Sequence, residues 1–240
     1  MSTLYDEPRL LPAGESALVV EFADAITPEA NERVMALARA LAARPLAGLG
    51  EAVPTYRSLL VHFDPLLLGE ERLRRHLAFL LGDLAAGPAD VGTGREGRLH
   101  EIPTVYGGEM GPDLAGVAAI TGLDEDEVVR LHGEETYTVY MIGFLPGFPY
   151  LGTLPEALAT PRLESPRLAV PAGSVAITGR QTGIYPMESP GGWRIIGRTP
   201  WRLFDVRRDP PSFLAPGDRV RFVPVAAADF ERLGREQAWP

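Results

Sequence analysis

The feature that most restricts the fold is a stretch in which glycine and proline recur every few residues, from position 136 to 208. It holds nine glycines and nine prolines. Proline lacks a backbone donor and glycine has no Cβ, so neither supports the interior of a long helix. The apolar residues fall in short runs between these breakers, which indicates short strands joined by turns. The sequence therefore predicts a compact β-barrel with elaborate loops here.

The first part of the chain instead alternates strands with amphipathic helices. "SALVVEFA" (16–23) and "AVPTYRSLLVHF" (52–63) are each typical of a strand. A helix follows the first strand, with Thr27 as its N-cap and Pro28 as its first residue. A second amphipathic helix is predicted over residues 69–86. This β-α-β-α order suits a small two-layer sandwich.

The chain is accordingly predicted to be an α+β protein of two domains. The N-terminal two-layer α/β domain spans residues 1–86, residues 87–98 form a linker rich in glycine and polar residues, and the barrel domain spans 99–240. Within the barrel domain the sequence predicts a strand at 99–108, two short helices at 111–134, a closing strand at 216–225 and a capping helix at 227–239.

The basic residues exclude several kinds of chemistry. All 23 lysine-or-arginine positions are arginine, and there is no cysteine. Without lysine the chain has no Schiff base, no lysine general base and no GK[ST] phosphate loop; without cysteine it has no disulfide and no cysteine-ligated zinc.

No run of apolar residues is long enough to span a membrane, and the first residues do not resemble a leader. We expect a cytoplasmic protein with no membrane partner.

Charge is unevenly distributed along the chain. The net charge is −9, which argues against a nucleic-acid partner. Residues 136–208 hold eight arginines against four acids, a local charge of +4, while the remainder holds 15 arginines and 28 acids. Such a region favours a small anion such as a carboxylate or phosphate. A solvated basic face paired with the acidic remainder is an equally open interpretation.

The usual catalytic residues are poorly arranged. No two of the four histidines share metal-ligand spacing, so no metal site is predicted. His132 is the one nearest the glycine- and proline-rich stretch, and a capping or core role is favoured over catalysis. Ser174 lacks the G-x-S-x-G frame of a hydrolase nucleophile. Asp205 is expected to orient an arginine.

Binding is therefore the favoured chemistry. In "RQTGIYPMESPGGWRIIGRTP" polar and aromatic residues alternate with glycines whose N–H groups can approach a ligand. The predicted substrate-binding residues here are Arg180, Gln181, Thr182, Tyr185, Ser189, Trp193 and Arg198. The loop "GFLPGFPYLG" is predicted to supply a pocket wall or partner contact through Phe144, Phe148 and Tyr150. The alternative is a structural crossover whose aromatic rings fill the core, which is equally expected for Phe144.

Several of these segments together resemble a known family. "VYGGEMGPDL", "LHGEETYTVYMIGFLPGFPYLG", "PRLESPRLAVPAGSVAITGRQTGIYPMESPGGWRIIGRTP", "LFD" and "PGDRVRFVPV" resemble, in order and spacing, the KipI-like family, also called allophanate hydrolase subunit 1 or the 5-oxoprolinase B subunit. The match is dense from residue 102 to 225, whereas residues 1–86 agree only in layout. The resemblance implies an N-terminal α/β domain, a cyclophilin-like β-barrel and a relation to the carboxyltransferase module of urea carboxylase.

The resemblance also implies a function and partners. Most bacterial members are interpreted as the B subunit of an ATP-dependent 5-oxoprolinase, which opens 5-oxoproline to L-glutamate together with the C and A subunits. ATP is then used by the complex, the substrate is a small carboxylate, and the chain is a non-autonomous part of the enzyme. The alternative role in the family is inhibition of a sensor histidine kinase. No catalytic residue is identified; the arginines expected to stabilise substrate charge are Arg162, Arg167, Arg180 and Arg198.

Overall fold

The computed structural model describes residues 4–85 and 97–239. The chain divides into two compact units, Met1–Glu96 and Gly97–Pro240. Most of the predicted linker, residues 87–98, lies outside the described residues, so the domain boundaries stay a prediction. Both units combine helices with a β-sheet, and the second contains a closed barrel. The predicted α+β class with a β-barrel is confirmed.

The first unit is a four-stranded antiparallel sheet packed against two helices. Its spatial order is β1-β2-β4-β3. Alternate residues of the two central strands, such as Leu18 and Val61, share a core with helix residues such as Leu37 and Leu77. This alternation places one face of the sheet against the helices. The elements are β1 Leu4–Pro12, β2 Ala17–Ala23, α1 Pro28–Ala43, β3 Leu49–Pro54, β4 Ser58–Phe63 and α2 Glu70–Ala85.

Two local predictions have different outcomes in this unit. The predicted start of α1 is confirmed, because the Thr27 side chain accepts a hydrogen bond from the Ala30 N–H at 3.2 Å. The prediction of one strand over 52–63 is wrong, because this range contains the end of β3, a turn and β4. Thr55 closes that turn: its N–H donates to the Ser58 carbonyl at 2.8 Å. β1 is a further strand that the sequence patterns did not indicate.

The second unit is a seven-stranded closed barrel with a separate two-stranded ribbon. The barrel order is β10-β7-β6-β13-β5-β12-β9, and the ribbon pairs β8 with β11. The last strand, β13, lies parallel to β5 and completes the barrel, as predicted for residues 216–225. The strands are β5 Leu99–Tyr106, β6 Tyr137–Ile142, β7 Pro149–Gly152, β8 Arg167–Val170, β9 Ser174–Thr178, β10 Gln181–Ile184, β11 Ser189–Gly191, β12 Arg194–Arg198 and β13 Arg219–Pro224.

Helices α3 Leu114–Thr121 and α4 Glu125–Glu134 connect β5 to β6, which confirms the two short helices predicted at 111–134. Their buried residues, including Val117 and Val128, belong to the same core as barrel residues such as Ile177. The predicted capping helix at 227–239 is shorter than expected: a 3-10 turn, Ala227–Asp229, precedes α5 Phe230–Arg235. Within residues 4–85 and 97–239, no helix has the length and apolar character needed to cross a membrane.

Candidate functional site

Four aromatic residues form a cluster on the wall of the barrel. Phe148 lies at its centre, 1% exposed, with ring centroids 5.0 Å from Tyr150, 5.2 Å from Tyr185 and 5.6 Å from Trp193. We call Phe148, Tyr150, Tyr185 and Trp193 the aromatic cluster. All four were predicted site residues, so the structure brings these two parts of the sequence together. Their edge-to-face packing forms a small core, in which only Tyr150 is half-buried.

Phe144, the fifth predicted aromatic residue, lies in the loop before β7 and outside the aromatic cluster. Phe144 has a φ of 67°, which is unusual for a residue with a side chain, and it is 65% exposed. Its ring touches the cluster only through Phe148, at 5.7 Å between centroids. Phe144 therefore stands at the edge of the cluster and does not fill the core. Gly147, at φ 79°, allows the turn, since a Cβ there would lie 2.8 Å from the Phe204 Cβ.

The ribbon of β8 and β11 packs directly on the aromatic cluster. A Cβ at Gly191 would clash with the Tyr185 hydroxyl oxygen, so only glycine fits. Burial raises the pKa of both Tyr185 and Tyr150, and the nearby positive charge of Arg162 opposes the rise at each. The charge of Arg162 thus acts on both tyrosines.

One predicted arginine is already paired with a carboxylate. Arg167 donates two parallel hydrogen bonds to Asp113, at 2.9 and 2.7 Å, and Asp113 also accepts from the Ile195 N–H at 2.7 Å. Asp113 precedes α3, where a helix cap is the expected role, yet its side chain makes no cap hydrogen bond. Arg167 therefore positions the ribbon more than it offers charge to a ligand. No local sequence pattern indicates this role for Asp113, because its partners are distant in the chain.

A further arginine lies beside the segment that carries Arg162. The Arg194 Nε donates to the Pro161 carbonyl at 2.9 Å, which places its guanidinium next to the residue preceding Arg162. The same segment is tied down again where the Leu163 N–H donates to the Gly192 carbonyl at 2.8 Å. Arg194 was not among the predicted site residues, although it directly follows the predicted Trp193 in "GGWRIIGR".

Arg180 reaches the same segment from the turn between β9 and β10. The Gly179 N–H donates to the Thr160 carbonyl at 2.6 Å, and the Leu154 N–H donates to the Arg180 carbonyl at 2.9 Å. We call Arg162, Arg180 and Arg194 the arginine edge. Among residues 4–85 and 97–239 no carboxylate lies within ion-pair distance of these three guanidinium groups, so all three keep charged donors for a ligand.

The remaining predicted residues lie elsewhere. Thr182 is fully buried inside the barrel, where it donates to the Ala176 carbonyl at 3.2 Å and contacts His132 Nε2 at 2.9 Å. Gln181 is half-buried at the start of β10. Ser189 is buried in β11, and its hydroxyl has no hydrogen-bond partner within the described residues. Arg198 lies at the far end of β12, opposite Ser174. The predicted residues thus do not line one shared concavity.

His132 belongs to the barrel core, as the sequence analysis favoured. It is fully buried, its Nδ1 lies 2.7 Å from the Tyr106 hydroxyl, and its ring lies 4.5 Å from that of Phe222. Burial lowers the pKa of His132 to about 3, because a charged imidazole would be desolvated there. The ring is therefore neutral and structural. Among the described residues no group of three or more His, Cys, Asp or Glu could hold a metal ion.

The two units together correspond to a carboxyltransferase-type domain. Residues 8–214 match the family described as carboxyltransferase domain, subdomain C and D, and the chain belongs to this family. Its fold is similar to that of the Kluyveromyces lactis urea carboxylase crystal structure, with a TM-score of 0.75 at 18% identity, over 98% of this chain and 24% of that one. The chain thus spans about a quarter of that protein.

Its relatives of similar length carry a more specific name. The chain is 47% identical to the 5-oxoprolinase B subunit of Escherichia coli O157:H7, over 88% of this chain and 93% of the relative. It is 40% identical to the 5-oxoprolinase B subunit of Bacillus subtilis (strain 168), over 93% of this chain and 95% of the relative. These matches confirm the family identified from the sequence motifs.

Proposed function

We propose that the chain acts as the B subunit of an ATP-dependent 5-oxoprolinase, which hydrolyses the cyclic amide of 5-oxoproline to L-glutamate. The observation that carries this proposal is 40–47% identity, over nearly the whole chain, to proteins that bear that name. The C and A subunits of 5-oxoprolinase are the proposed partners, and ATP is a substrate of the assembled complex.

The arginine edge supports binding of the substrate's carboxylate. 5-Oxoproline carries one carboxylate on a small ring, and Arg162, Arg180 and Arg194 pair with no carboxylate of the described residues. Tyr150, the half-buried member of the aromatic cluster, offers an apolar face for the ring. Hydrolysis driven by ATP would pass through an acyl-phosphate-like species, whose negative charge fixed guanidinium groups stabilise. The edge is therefore proposed to bind the substrate and to stabilise charge during the reaction.

The composition supports a polypeptide that does not work alone. Lysine and cysteine are absent, and His132 is neutral inside the core. The groups that transfer phosphate and attack the carbonyl are accordingly proposed to come from the partner subunits. The chain contributes binding and positioning, which can supply a large part of a rate enhancement.

Reconstitution tests the proposal. Purified chain is mixed with the A and C subunits, 5-oxoproline and ATP, and glutamate formation is followed with and without the chain. We expect turnover only in the complete mixture. If omission of the chain leaves turnover unchanged, the enzymatic proposal fails, and autophosphorylation of a histidine kinase becomes the assay for the inhibitor alternative.

A matched pair of variants tests the arginine edge. Arg162→Gln removes a cation whose charge acts on Tyr150 and Tyr185, whereas Arg219→Gln removes an exposed cation from β13. Loss of one charge-assisted hydrogen bond should raise the KM for 5-oxoproline by about tenfold or more in the first variant. The second should behave as wild type. Equal KM values in both variants would remove Arg162 from the site.

A further inference from the structure

A second group of arginines surrounds a groove made by the end of the chain. After α5 the chain folds back on the segment that follows β12. The Arg202 N–H donates to Gln237 Oε1 and the Gln237 Nε2 donates to the Arg202 carbonyl, both at 2.8 Å. Farther along, Trp239 Nε1 donates to the Pro210 carbonyl at 3.0 Å. Side-chain bonds to the backbone therefore hold both walls of the groove.

The groove consists of two adjoining clefts with volumes of about 470 and 250 Å³. They share Pro200, Arg202 and Phe230 as lining residues. The larger cleft falls within the size range of small-molecule sites. Four aromatic residues are among the lining residues of the groove: Trp201, Phe204, Phe230 and Trp239.

Positive charge in the groove exceeds negative charge. The acids among its lining residues are Asp205 and Glu231, and both already have partners. Arg207 binds both oxygens of Asp205, at 2.9 and 2.8 Å, and holds the pKa of that carboxyl well below its usual range. Glu231 lies 3.6 Å from Arg235. The carboxylates of the groove are thus neutralised by their own arginines.

Two lining arginines have no such carboxylate within the described ranges, Arg198 and Arg208. The Arg198 Nε donates to the Ala172 carbonyl at 2.8 Å, and its guanidinium lies 5.9 Å from the centre of the Phe230 ring. Arg208 lies 5.6 Å from the centre of the Trp239 ring. Each cation is held over an aromatic face with its terminal amino groups unpaired by acids of these ranges.

This groove is separate from the arginine edge. Arg198 pairs with Ser174, the first residue of β9, whereas Arg180 follows Thr178, the last residue of that strand. The step from Ser174 to Thr178 is four residues, which corresponds to about 13 Å of extended strand, and Arg180 follows in the turn after β9. The two groups of arginines therefore lie toward opposite ends of β9, because Arg194 pairs with Ile177 and Arg198 pairs with Ser174.

We propose that the groove is a second ligand site, which binds a small organic anion combining a flat ring with a carboxylate or phosphate. Arg198 and Arg208 bind the anionic group, and the aromatic walls contact the ring. This inference does not depend on the proposed oxoprolinase activity.

Binding to the isolated chain tests the inference. Trp201 and Trp239 line the groove, so tryptophan fluorescence can follow titration with benzoate, phenyl phosphate, neutral benzamide and inorganic phosphate. We expect benzoate and phenyl phosphate to bind more tightly than benzamide and inorganic phosphate. Arg198→Gln and, separately, Arg208→Gln should each weaken both aryl anions by about tenfold, and Arg219→Gln should leave them unchanged.

Three results would overturn the inference. Benzamide that binds as tightly as benzoate would show an apolar cleft without anion selectivity. Unchanged affinity in both Arg198→Gln and Arg208→Gln would place the anion elsewhere. Arg198→Gln also removes the hydrogen bond to the Ala172 carbonyl, so Arg208→Gln supplies the test if the Arg198 variant does not fold. Loss of phenyl phosphate binding in Arg162→Gln alone would assign the anion to the arginine edge.

Discussion

Lowering the pH from 7 to 5 should destabilise the barrel through one residue, His132. Thr182 donates its hydroxyl to the Ala176 carbonyl, so it accepts from His132 Nε2–H and leaves Nδ1 to accept from the Tyr106 hydroxyl. The neutral ring therefore satisfies both nitrogens. A proton added to Nδ1 would face the Tyr106 hydroxyl and place a charge inside the core.

The size of the effect follows from the two pKa values of this histidine. The ordinary value is 6.5, and burial lowers the pKa of His132 to about 3 in the folded barrel. Between these values the unfolded chain binds one more proton than the folded one, so the free energy of unfolding falls as pH falls. The slope approaches about 1.4 kcal/mol per pH unit, which gives a loss of about 2 kcal/mol between pH 7 and pH 5.

The tryptophans allow this loss to be measured on the barrel unit. Trp193, Trp201 and Trp239 all lie in the second unit. Urea unfolding followed by their fluorescence, at pH 7 and pH 5, gives the change for wild type and for His132→Gln. The substitution has its own cost at both pH values, so only the difference between the two pH values is compared.

Wild type should lose about 2 kcal/mol more than His132→Gln over this pH range. Carboxylates contribute equally to both proteins and cancel in the comparison. A His132→Gln variant with the same pH dependence as wild type would refute the reasoning, because the proton uptake would then belong to other groups.

Two further changes probe the packing of the ribbon. Asp113→Ala removes the acceptor shared by Arg167 and the Ile195 N–H. It leaves a buried N–H and a half-buried guanidinium without this partner, so the free energy of unfolding in urea titrations should fall by about 1–3 kcal/mol. An unchanged midpoint would contradict this. Gly191→Ala places a Cβ against the Tyr185 hydroxyl, and this overpacking should lower the free energy of unfolding by about 1–3 kcal/mol. The control is the neighbouring Gly192→Ala, whose added Cβ meets no atom closer than 3.6 Å. Similar melting temperatures for the two variants would argue against close packing of the ribbon on the Tyr185 ring.

Much of the fold follows from local chemistry. Thr27 and Pro28 mark the start of α1 because capping depends on neighbouring residues only. The glycines and prolines between 136 and 208 exclude long helices, and the structure has short strands there. The sequence did not show the hairpin of β3 and β4, because only the three turn residues 55–57 separate the two strands. These three residues include no glycine, so the pattern was interpreted as one continuous strand.

The candidate site depended on strand register, which local patterns do not specify. Thr182 and Gln181 are adjacent in sequence, yet Thr182 points into the barrel because side chains alternate along β10. Periodicity indicates that alternation exists, but the closed barrel decides which residue faces inward.

The sequence by itself determined the family motifs, the mixed architecture, the excess of arginine over acids between residues 136 and 208, and the chemistry that a chain without lysine or cysteine lacks. Only the tertiary structure decided which arginines are paired. Arg167 meets Asp113 across 54 residues, while Arg194 binds the Pro161 carbonyl and meets no acid of the described ranges. The physical reason is that composition fixes how many charges exist, whereas the closure of the barrel and the packing of its loops set the distances between them.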